Sequence, residues 1–168
     1  MINNDFYAAW PEYFDVIADI SWSIPINYEH IFNAPENKTA YFYTIVSKVN
    51  ETWEIYYIGM TYNQSAAVRV QQLDHRRRLN NLQSMYPRQV FSLSLGTPKF
   101  MRGRITKKLI EVIEGLLIYG NWHEKMINSK KIQLFKDLKQ IYINNIGWTE
   151  HIETEVAHGV FSRNSRLN

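Results

Sequence analysis

The sequence predicts an α+β fold in which a small, partly antiparallel central β-sheet is flanked by helices. Three observations support this prediction. Two neighbouring runs, Tyr41–Val49 and residues 53–59, are rich in aromatic and β-branched side chains, as strands are. Residues 89–95 alternate apolar and polar side chains, which is typical of a half-buried strand. Two longer segments, 66–85 and 105–119, repeat apolar residues at helical spacing.

Length and composition restrict the classes of protein to consider. The chain has 168 residues, of which 45% are hydrophobic, so one ordinary domain with a buried core is expected rather than a disordered chain. Cysteine is absent, which excludes a disulfide framework and thiolate metal sites. The sequence has neither an apolar run of about 18 residues nor the pattern of a signal peptide. We therefore expect a cytoplasmic protein without a membrane partner.

The elements follow one another along the chain in a definite order. The first half is predicted as an acidic helix over 6–20, a β-hairpin from Tyr41–Val49 and 53–59 with a three-residue turn at 50–52, and a helix over 66–85. A strand over 89–95, a turn over 96–98 and a helix over 105–119 follow. The last elements are a short helix over 134–139, a strand over 141–143 and a closing turn over 144–147. This order predicts a domain over 37–147, preceded by a helical extension over 1–36 and followed by a tail over 148–168.

Charge is distributed unevenly along the chain. Residues 67–108 contain ten basic side chains and a single acidic one, Asp74, so this third of the sequence carries +9 whereas the whole chain carries +3. Such a segment suits a nucleic-acid phosphate backbone, and the alternative is a basic face that only contacts solvent. The side chains predicted to bind nucleic acid are Arg76, Arg77, Arg78, Arg102, Arg104 and Lys107.

The hairpin brings two tyrosines together. If the turn pairs Val49 with Trp53, then Tyr43 lies opposite Gly59, and Tyr43 and Tyr57 are diagonal neighbours on one face of the sheet. Gly59 would leave a patch of uncovered backbone that a ligand can approach. Two phenols beside such a patch suit a site that handles protons or phosphate oxygens. The alternative is ordinary packing of aromatic side chains across two strands.

The helix over 105–119 carries two carboxylates on different sides. A helical wheel places Glu114 at the edge of the apolar stripe, about 90° from its centre, and Glu111 about 150° away. We therefore expect Glu111 to face solvent. Glu114 is the candidate metal ligand, because packing can orient a carboxylate at the edge of a core.

The same residues occur in an ordered pattern. Tyr41-Phe42-Tyr43, then Tyr57-Ile58-Gly59, then Arg69, Glu114 and Asn128 follow one another over residues 40–130. This set resembles the GIY-YIG nuclease family. The resemblance implies an α+β nuclease domain that hydrolyses phosphodiesters with one divalent metal ion, Mg²⁺ first and Mn²⁺ as the alternative.

The resemblance also implies a role for each residue. Tyr43 acts as general base or positions the attacking water, and Tyr57 helps to order the site and that water. Arg69 neutralises the scissile phosphate, Glu114 binds the metal ion, and Asn128 braces the site. A metal ion and an arginine together offset the charge that develops in the transition state.

The family's helix histidine, four residues after the arginine, corresponds to Leu73 here. His75 is the nearby candidate for this catalytic position. On an uninterrupted helix it points about 120° away from Arg69, whereas Arg76 lies on the side of Arg69 and can share its work.

The predicted function is therefore a metal-dependent endonuclease, acting on DNA more readily than on RNA, and a homodimer is left open. The alternative is a catalytically inactive module of the same fold that binds nucleic acid or protein. A rival metal site could be formed by His151, Glu153, Glu155 and His158, although their spacing matches no established zinc motif.

Overall fold

The structure is a computed structural model that describes residues 14–28, 30, 41–129 and 139–159. Within these residues the chain forms one mixed β-sheet and three helices, so the α+β prediction is confirmed. The elements are β1 (Val16–Trp22), β2 (Ile26–Asn27), β3 (Tyr41–Val49), β4 (Thr52–Thr61), α1 (Ala66–Gln71), α2 (Leu73–Met85), β5 (Phe91–Arg102), α3 (Lys107–Gly120), β6 (Ile141–Gly147) and β7 (Glu155–His158). No helix among them is long and apolar enough to cross a membrane.

The sheet has the strand order β4-β3-β5-β1-β6-β7, with β2 paired to β5. All neighbours are antiparallel except β1 and β6, which are parallel. Because alternate residues of a strand face opposite sides, the sheet has two cores. Phe42 and Val46 of β3 pack with α3 on one side, while Tyr43 and Ile45 pack with α1 and α2 on the other.

The N-terminal helix predicted over 6–20 is wrong where the structure describes it. Residues 16–20 belong to β1, which lies between β5 and β6 near the middle of the sheet. From Ala18 to Trp22 buried apolar residues alternate with more exposed polar ones, a strand pattern that appears only where the predicted helix ends. The predicted separate extension over 1–36 is wrong for β1 and β2, which are strands of the main sheet.

The chain after the predicted domain also contributes to the sheet. The predicted tail over 148–168 contains β7, which pairs with β6. The strand predicted over 141–143 is confirmed but longer, because β1 pairs with it as far as Gly147. The closing turn predicted over 144–147 is therefore wrong. The helix predicted over 134–139 lies outside the described residues except at Lys139, which is not helical.

The hairpin has a shorter turn than predicted, yet the predicted register of the tyrosines is correct. Asn50 and Glu51 form a two-residue turn with φ of 48° and 69°, and Val49 pairs with Thr52. A β-bulge then adds one residue to β4, because Val46 pairs with Ile55 but Ile45 pairs with Tyr57. The missing turn residue and the extra bulge residue cancel, and Tyr43 lies opposite Gly59 as predicted.

The helix predicted over 66–85 is two helices that meet at Gln72. Gln72 has an extended backbone, with φ of −63° and ψ of 146°, which ends α1 and starts α2 in a new direction. His75 and Leu82 of α2 are buried, whereas Val68 of α1 is half exposed. The break therefore changes the relative orientation of side chains on the two helices.

The turn predicted at 96–98 is also wrong, because β5 runs without interruption to Arg102. Gly96 is needed within the strand for a different reason. A Cβ at this position would lie 2.8 Å from an Ile20 side-chain carbon and 2.9 Å from the Trp22 ring. The glycine thus gives room to the core beneath α3.

Candidate active site

A cleft of about 600 Å³ lies beside β4, between α1–α2 and α3. We call it the tyrosine cleft. Its lining residues are Tyr43, Tyr57, Met60, Thr61, Tyr62, Gln64, Arg69, Arg78, Lys107, Glu111, Glu114, Ile118, Ile127, Asn128 and Ser129. Five of the six residues predicted as catalytic therefore lie on one cleft, although they come from five separate segments of the chain. The sixth, His75, does not line the cleft, but its Nε2 contacts the Tyr43 hydroxyl.

Tyr43 and Tyr57 lie on the same face of the hairpin, as predicted. Their ring centroids are 6.1 Å apart. The patch predicted over Gly59, however, is not open to a ligand, because the Tyr43 ring covers it. A Cβ on Gly59 would lie 2.4 Å from both Cζ and Oη of Tyr43 and 2.7 Å from a Tyr57 ring carbon. Gly59 is therefore required for Tyr43 to lie flat across β4.

His75 is fully buried, and its Nε2 lies 2.6 Å from the Tyr43 hydroxyl oxygen. Arg78 Nη1 lies 3.3 Å from the same nitrogen. Because arginine can only donate, we assign Nε2 as the acceptor and the Tyr43 hydroxyl as a donor to it. Burial, with the nearby charges of Arg69 and Arg78, lowers the pKa of His75 to about 4, which keeps the ring neutral.

Both tyrosines are held as neutral phenols. Burial, reinforced by Tyr57, raises the pKa of Tyr43 well above its ordinary value. Burial also raises the pKa of Tyr57, and the adjacent guanidinium of Arg78 opposes this effect. A proton can therefore leave Tyr43 at neutral pH only if a further positive charge approaches the cleft or a base accepts the proton.

Two arginines face the cleft from α1 and α2. Arg69 donates to both carboxylate oxygens of Asp74, at 3.2 and 3.1 Å. Arg78 donates to the Tyr57 hydroxyl at 3.1 Å, and its guanidinium lies 4.9 Å from the centroid of that ring. The expectation that Arg76 accompanies Arg69 is wrong, because Arg76 is exposed and does not line the cleft. The break at Gln72 gives this position to Arg78.

The other predicted nucleic-acid-binding residues occupy different places. Lys107 lines the cleft from the start of α3. Arg77 and Arg104 are exposed outside the cleft. Arg102 donates to the Phe14 carbonyl at 2.9 Å, so it joins the end of β5 to the chain before β1. The predicted set is therefore divided, and only Arg78 and Lys107 belong to the cleft.

Glu114 is half-buried and lines the cleft, in agreement with the wheel. Glu111 is exposed as predicted, but it also lines the cleft and lies 3.8 Å from Lys107 Nζ. Thr61 lines the same cleft, and its buried hydroxyl has no hydrogen-bond partner among the described residues. Mg²⁺ binds through one or two carboxylates and completes its coordination with water and phosphate, so this donor set fits it.

Asn128 fixes the edge of β4 next to the tyrosines. Its Oδ1 accepts from the Ile58 N–H at 3.0 Å, and its Nδ2 donates to the Ile58 carbonyl at 2.8 Å. Ile127 N–H donates to the Tyr56 carbonyl at 2.8 Å. Among the described residues β4 has no strand partner on this side, and these bonds take its place. The predicted bracing position of Asn128 is therefore explained by the backbone that it holds.

A second cleft, of about 630 Å³, lies on another part of the surface. We call it the acidic cleft. Its lining residues are Trp53, Glu54, Ile55, Gly120, Asn121, Trp122, His123, Glu124, Lys125, Glu150, His151, Ile152, Glu153 and Thr154. His151, from the rival metal constellation, is buried here and stacks on Trp148 with ring centroids 4.4 Å apart. Within the described ranges, no three His, Asp or Glu side chains are placed to share a metal ion.

Sequence reasoning missed Asp74 and Thr61 as parts of the site. Asp74 had one visible signal, because it is the single acidic residue among ten basic ones in 67–108. Thr61 had none, since its role depends on where β4 ends. No family model, curated protein or solved structure matches this chain, so the geometry alone describes the site.

Proposed function

We propose that this protein is a metal-dependent endonuclease of the GIY-YIG type that hydrolyses phosphodiester bonds, with DNA as the favoured substrate. The observation that supports the proposal most is that Tyr43, Tyr57, Arg69 and Glu114 line one cleft. They lie on four different elements, β3, β4, α1 and α3, so the amphipathic pattern of any one element does not account for their convergence. The order of these elements is also the order that the resemblance requires.

Positive charge in the tyrosine cleft suits a phosphodiester. Arg69 and Arg78 approach from one wall and Lys107 from the other. These groups bind the phosphate and offset the negative charge that grows on its oxygens during hydrolysis. Glu114, with Glu111 and the Thr61 hydroxyl nearby, would hold a divalent ion, which supplies Lewis-acid stabilisation of the phosphate when bound.

Proton transfer is assigned to Tyr43 and His75. The Tyr43 hydroxyl donates to a neutral imidazole nitrogen that is 2.6 Å away, so the imidazole can accept this proton when Tyr43 takes one from water. Tyr57 lies beside Tyr43 and is held by Arg78, which suits a role in positioning the attacking water. The depressed pKa of His75 makes it a weak base, so the transfer depends on the negative charge of the bound phosphodiester, which favours a protonated imidazole, and on the divalent ion, which would make the attacking water more acidic.

The second candidate function is a nucleic-acid-binding module that does not cut. It is favoured by the raised pKa values of Tyr43 and Tyr57, which keep both phenols protonated. A phosphate can then bind to Arg69 and Arg78 without being hydrolysed. Both candidate functions use the tyrosine cleft, and they differ only in whether the bound nucleic acid is hydrolysed there.

One experiment separates them. Supercoiled plasmid and labelled RNA are incubated with the protein in Mg²⁺, in Mn²⁺ and in a chelator, and binding is measured in parallel. We expect metal-dependent nicking of DNA that Tyr43→Phe and Glu114→Gln abolish without loss of binding. Binding without cleavage under every condition would favour the second candidate. Absence of binding to DNA and RNA at low salt would contradict both.

A further inference from the structure

Asp74 occupies an unusual position in the most basic part of the chain. Its carboxylate contacts two guanidinium groups at once. Arg69 donates to Oδ1 at 3.2 Å and to Oδ2 at 3.1 Å, and Arg78 Nη1 lies 3.4 Å from Oδ2. The two arginines therefore meet at one carboxylate oxygen, although they lie on different helices.

The break between α1 and α2 creates this arrangement. Arg69 lies in the last turn of α1, and Asp74 lies in the first turn of α2, where the helix dipole favours a carboxylate. Arg78 follows Asp74 by one helical turn, a spacing that places the two side chains next to each other. The side chain of Gln72, at the break itself, also accepts from Arg69. Without the break, Arg69 and Arg78 would not share a partner.

The carboxylate lies behind the arginines rather than in the cleft. Arg69 and Arg78 line the tyrosine cleft, whereas Asp74 does not. Each guanidinium has five N–H donors in a fixed plane, so it can bond a carboxylate at one edge and a phosphate at another. Holding long side chains in place beforehand reduces the entropy lost when they bind a ligand.

Arg78 has a further contact that Arg69 lacks. It donates to the Tyr57 hydroxyl and lies over the Tyr57 ring. A phosphate bound by both arginines is thereby placed beside the two tyrosines. On the basis of the proposed phosphodiester hydrolysis, we infer that Arg69 and Arg78 form a paired phosphate-binding site and that Asp74 is the positioning residue that holds both.

The sign of one mutational effect tests this inference. Asp74→Asn removes a negative charge near the cleft, and by charge alone it would strengthen the binding of any anion. If Asp74 positions the arginines, the same change weakens binding. We expect Asp74→Asn to bind a short labelled DNA duplex, in chelator, about tenfold more weakly than the unmodified protein. Equal or tighter binding would overturn the inference.

Matched variants separate positioning from a general loss of structure. Glu124→Gln removes an exposed carboxylate from the acidic cleft and should leave binding unchanged. Asp74→Glu should restore most of the affinity, because it returns the carboxylate. In a protein that already carries Arg69→Ala and Arg78→Ala, Asp74→Asn should weaken binding no further, because its partners are gone. A full additional loss in that background would show that Asp74 acts elsewhere, and it would contradict the inference.

A second probe keeps this inference distinct from the proposed function. Inorganic pyrophosphate offers phosphate oxygens without requiring recognition of nucleic acid, and its binding can be measured by calorimetry. If pyrophosphate binding is lost in Asp74→Asn while no nucleic acid is bound or cut, the paired site stands and the nuclease proposal fails. If DNA is cut and Asp74→Asn binds both probes normally, the nuclease proposal stands and the paired site fails. If neither probe binds, both fail.

Discussion

The tyrosine cleft and the acidic cleft have nearly the same volume, about 600 and about 630 Å³, but opposite charge. Three basic and two acidic side chains line the first, which gives it a charge of +1. One lysine and four glutamates line the second, which gives it −3 with neutral histidines. A phosphate polymer is attracted to the first cleft and repelled from the second. Size alone therefore does not distinguish a candidate active site on this protein.

The polar groups of the two clefts are also connected differently. In the tyrosine cleft they form a connected set, because His75 contacts both Tyr43 and Arg78, and Arg78 also donates to Tyr57. In the acidic cleft, Glu54 is engaged by Lys125 at 2.8 Å, and His151 is enclosed by tryptophans with both ring nitrogens lacking partners among the described residues. The first arrangement can move a proton or bind an anion, whereas the second holds one ion pair and an enclosed imidazole that are not connected to each other.

The largest expected effect comes from removing the Glu114 carboxylate from the tyrosine cleft, and removal of a carboxylate from the acidic cleft is the matched control. Glu114→Gln should lower DNA cleavage about a hundredfold or more, because the site loses an electrostatic stabiliser of the transition state. Glu124→Gln, in the acidic cleft, should leave cleavage unchanged. Both rates are measured by plasmid nicking at saturating protein, with binding measured separately.

Glu111→Gln is a poorer control than the helical wheel suggests, because Glu111 lines the tyrosine cleft as well. Its loss is expected to reduce cleavage less than that of Glu114. Full activity in Glu114→Gln, or equal losses in Glu114→Gln and Glu124→Gln, would mean that the cleft does not contain the metal ligand.

A second comparison uses two crowded glycines. Gly59→Ala and Gly96→Ala each force a Cβ against a ring, at 2.4 Å from Tyr43 and at 2.9 Å from Trp22. Each should lower the free energy of unfolding by about 1–3 kcal/mol through overpacking. Only Gly59→Ala should also abolish cleavage by the folded fraction, because Tyr43 must move. Chemical denaturation and nicking assays measure the two effects separately, and comparable loss of activity in both variants would contradict the assignment of Tyr43.

The fold was predictable where a single periodicity dominates. The stripe of α3 was interpreted correctly because the helix packs one apolar face on a core. The alternation of β5 was visible because its large apolar residues face one core while small residues occupy the other face, although that face is buried too. β1 was predicted wrongly, because apolar residues at helical spacing precede it and its own alternation, from Ala18 to Trp22, is short. The ends of β5 and β6 were placed too early, because Gly96 and Asn145 are turn residues by local preference but are held in strands by their neighbours.

The site was predictable in its residues but not in the bonds between them. The register that joins Tyr43 to Gly59 was correct only because the bulge in β4 compensated for the wrong turn length. The contact between Tyr43 and His75 depends on the helix break at Gln72, where no proline or glycine marks the interruption. A break of this kind arises from tertiary packing, which local sequence preference does not encode.

A third, smaller effect should appear in the stability of the acidic cleft at low pH. Burial lowers the pKa of His151 to about 3, while the unfolded chain binds its proton near pH 6.5. The unfolded state therefore takes up protons first as the pH falls below about 6.5, and stability decreases. Between about pH 7 and about pH 5 this one group should cost about 2 kcal/mol. Urea unfolding at both pH values measures the decrease.

The variant that tests this effect is His151→Phe, which keeps a ring between Trp22 and Trp148. It should reduce the loss of stability on acidification by the amount assigned to His151. Cleavage at neutral pH should be unaffected, because the residue lies outside the tyrosine cleft. An unchanged pH dependence of unfolding would mean that His151 is protonated as easily in the folded protein as in the unfolded chain.

The smallest expected effect concerns the basic residues that do not reach the tyrosine cleft. Arg76 and Arg77 are exposed on α2, so they can approach a DNA backbone only outside the site of hydrolysis. Replacing both with Ala should weaken duplex binding severalfold at low salt. It should also reduce the slope of log affinity against log salt by about 0.9 for each phosphate that is no longer neutralised. Lys125→Ala, in the acidic cleft, should change neither quantity.

Cleavage at saturating DNA should remain the same in the unmodified protein and both variants, because their tyrosine clefts are identical. A fall in this cleavage rate for the double variant would show that Arg76 and Arg77 take part in the hydrolysis as well as in binding. Weaker binding by Lys125→Ala would show that DNA reaches both clefts.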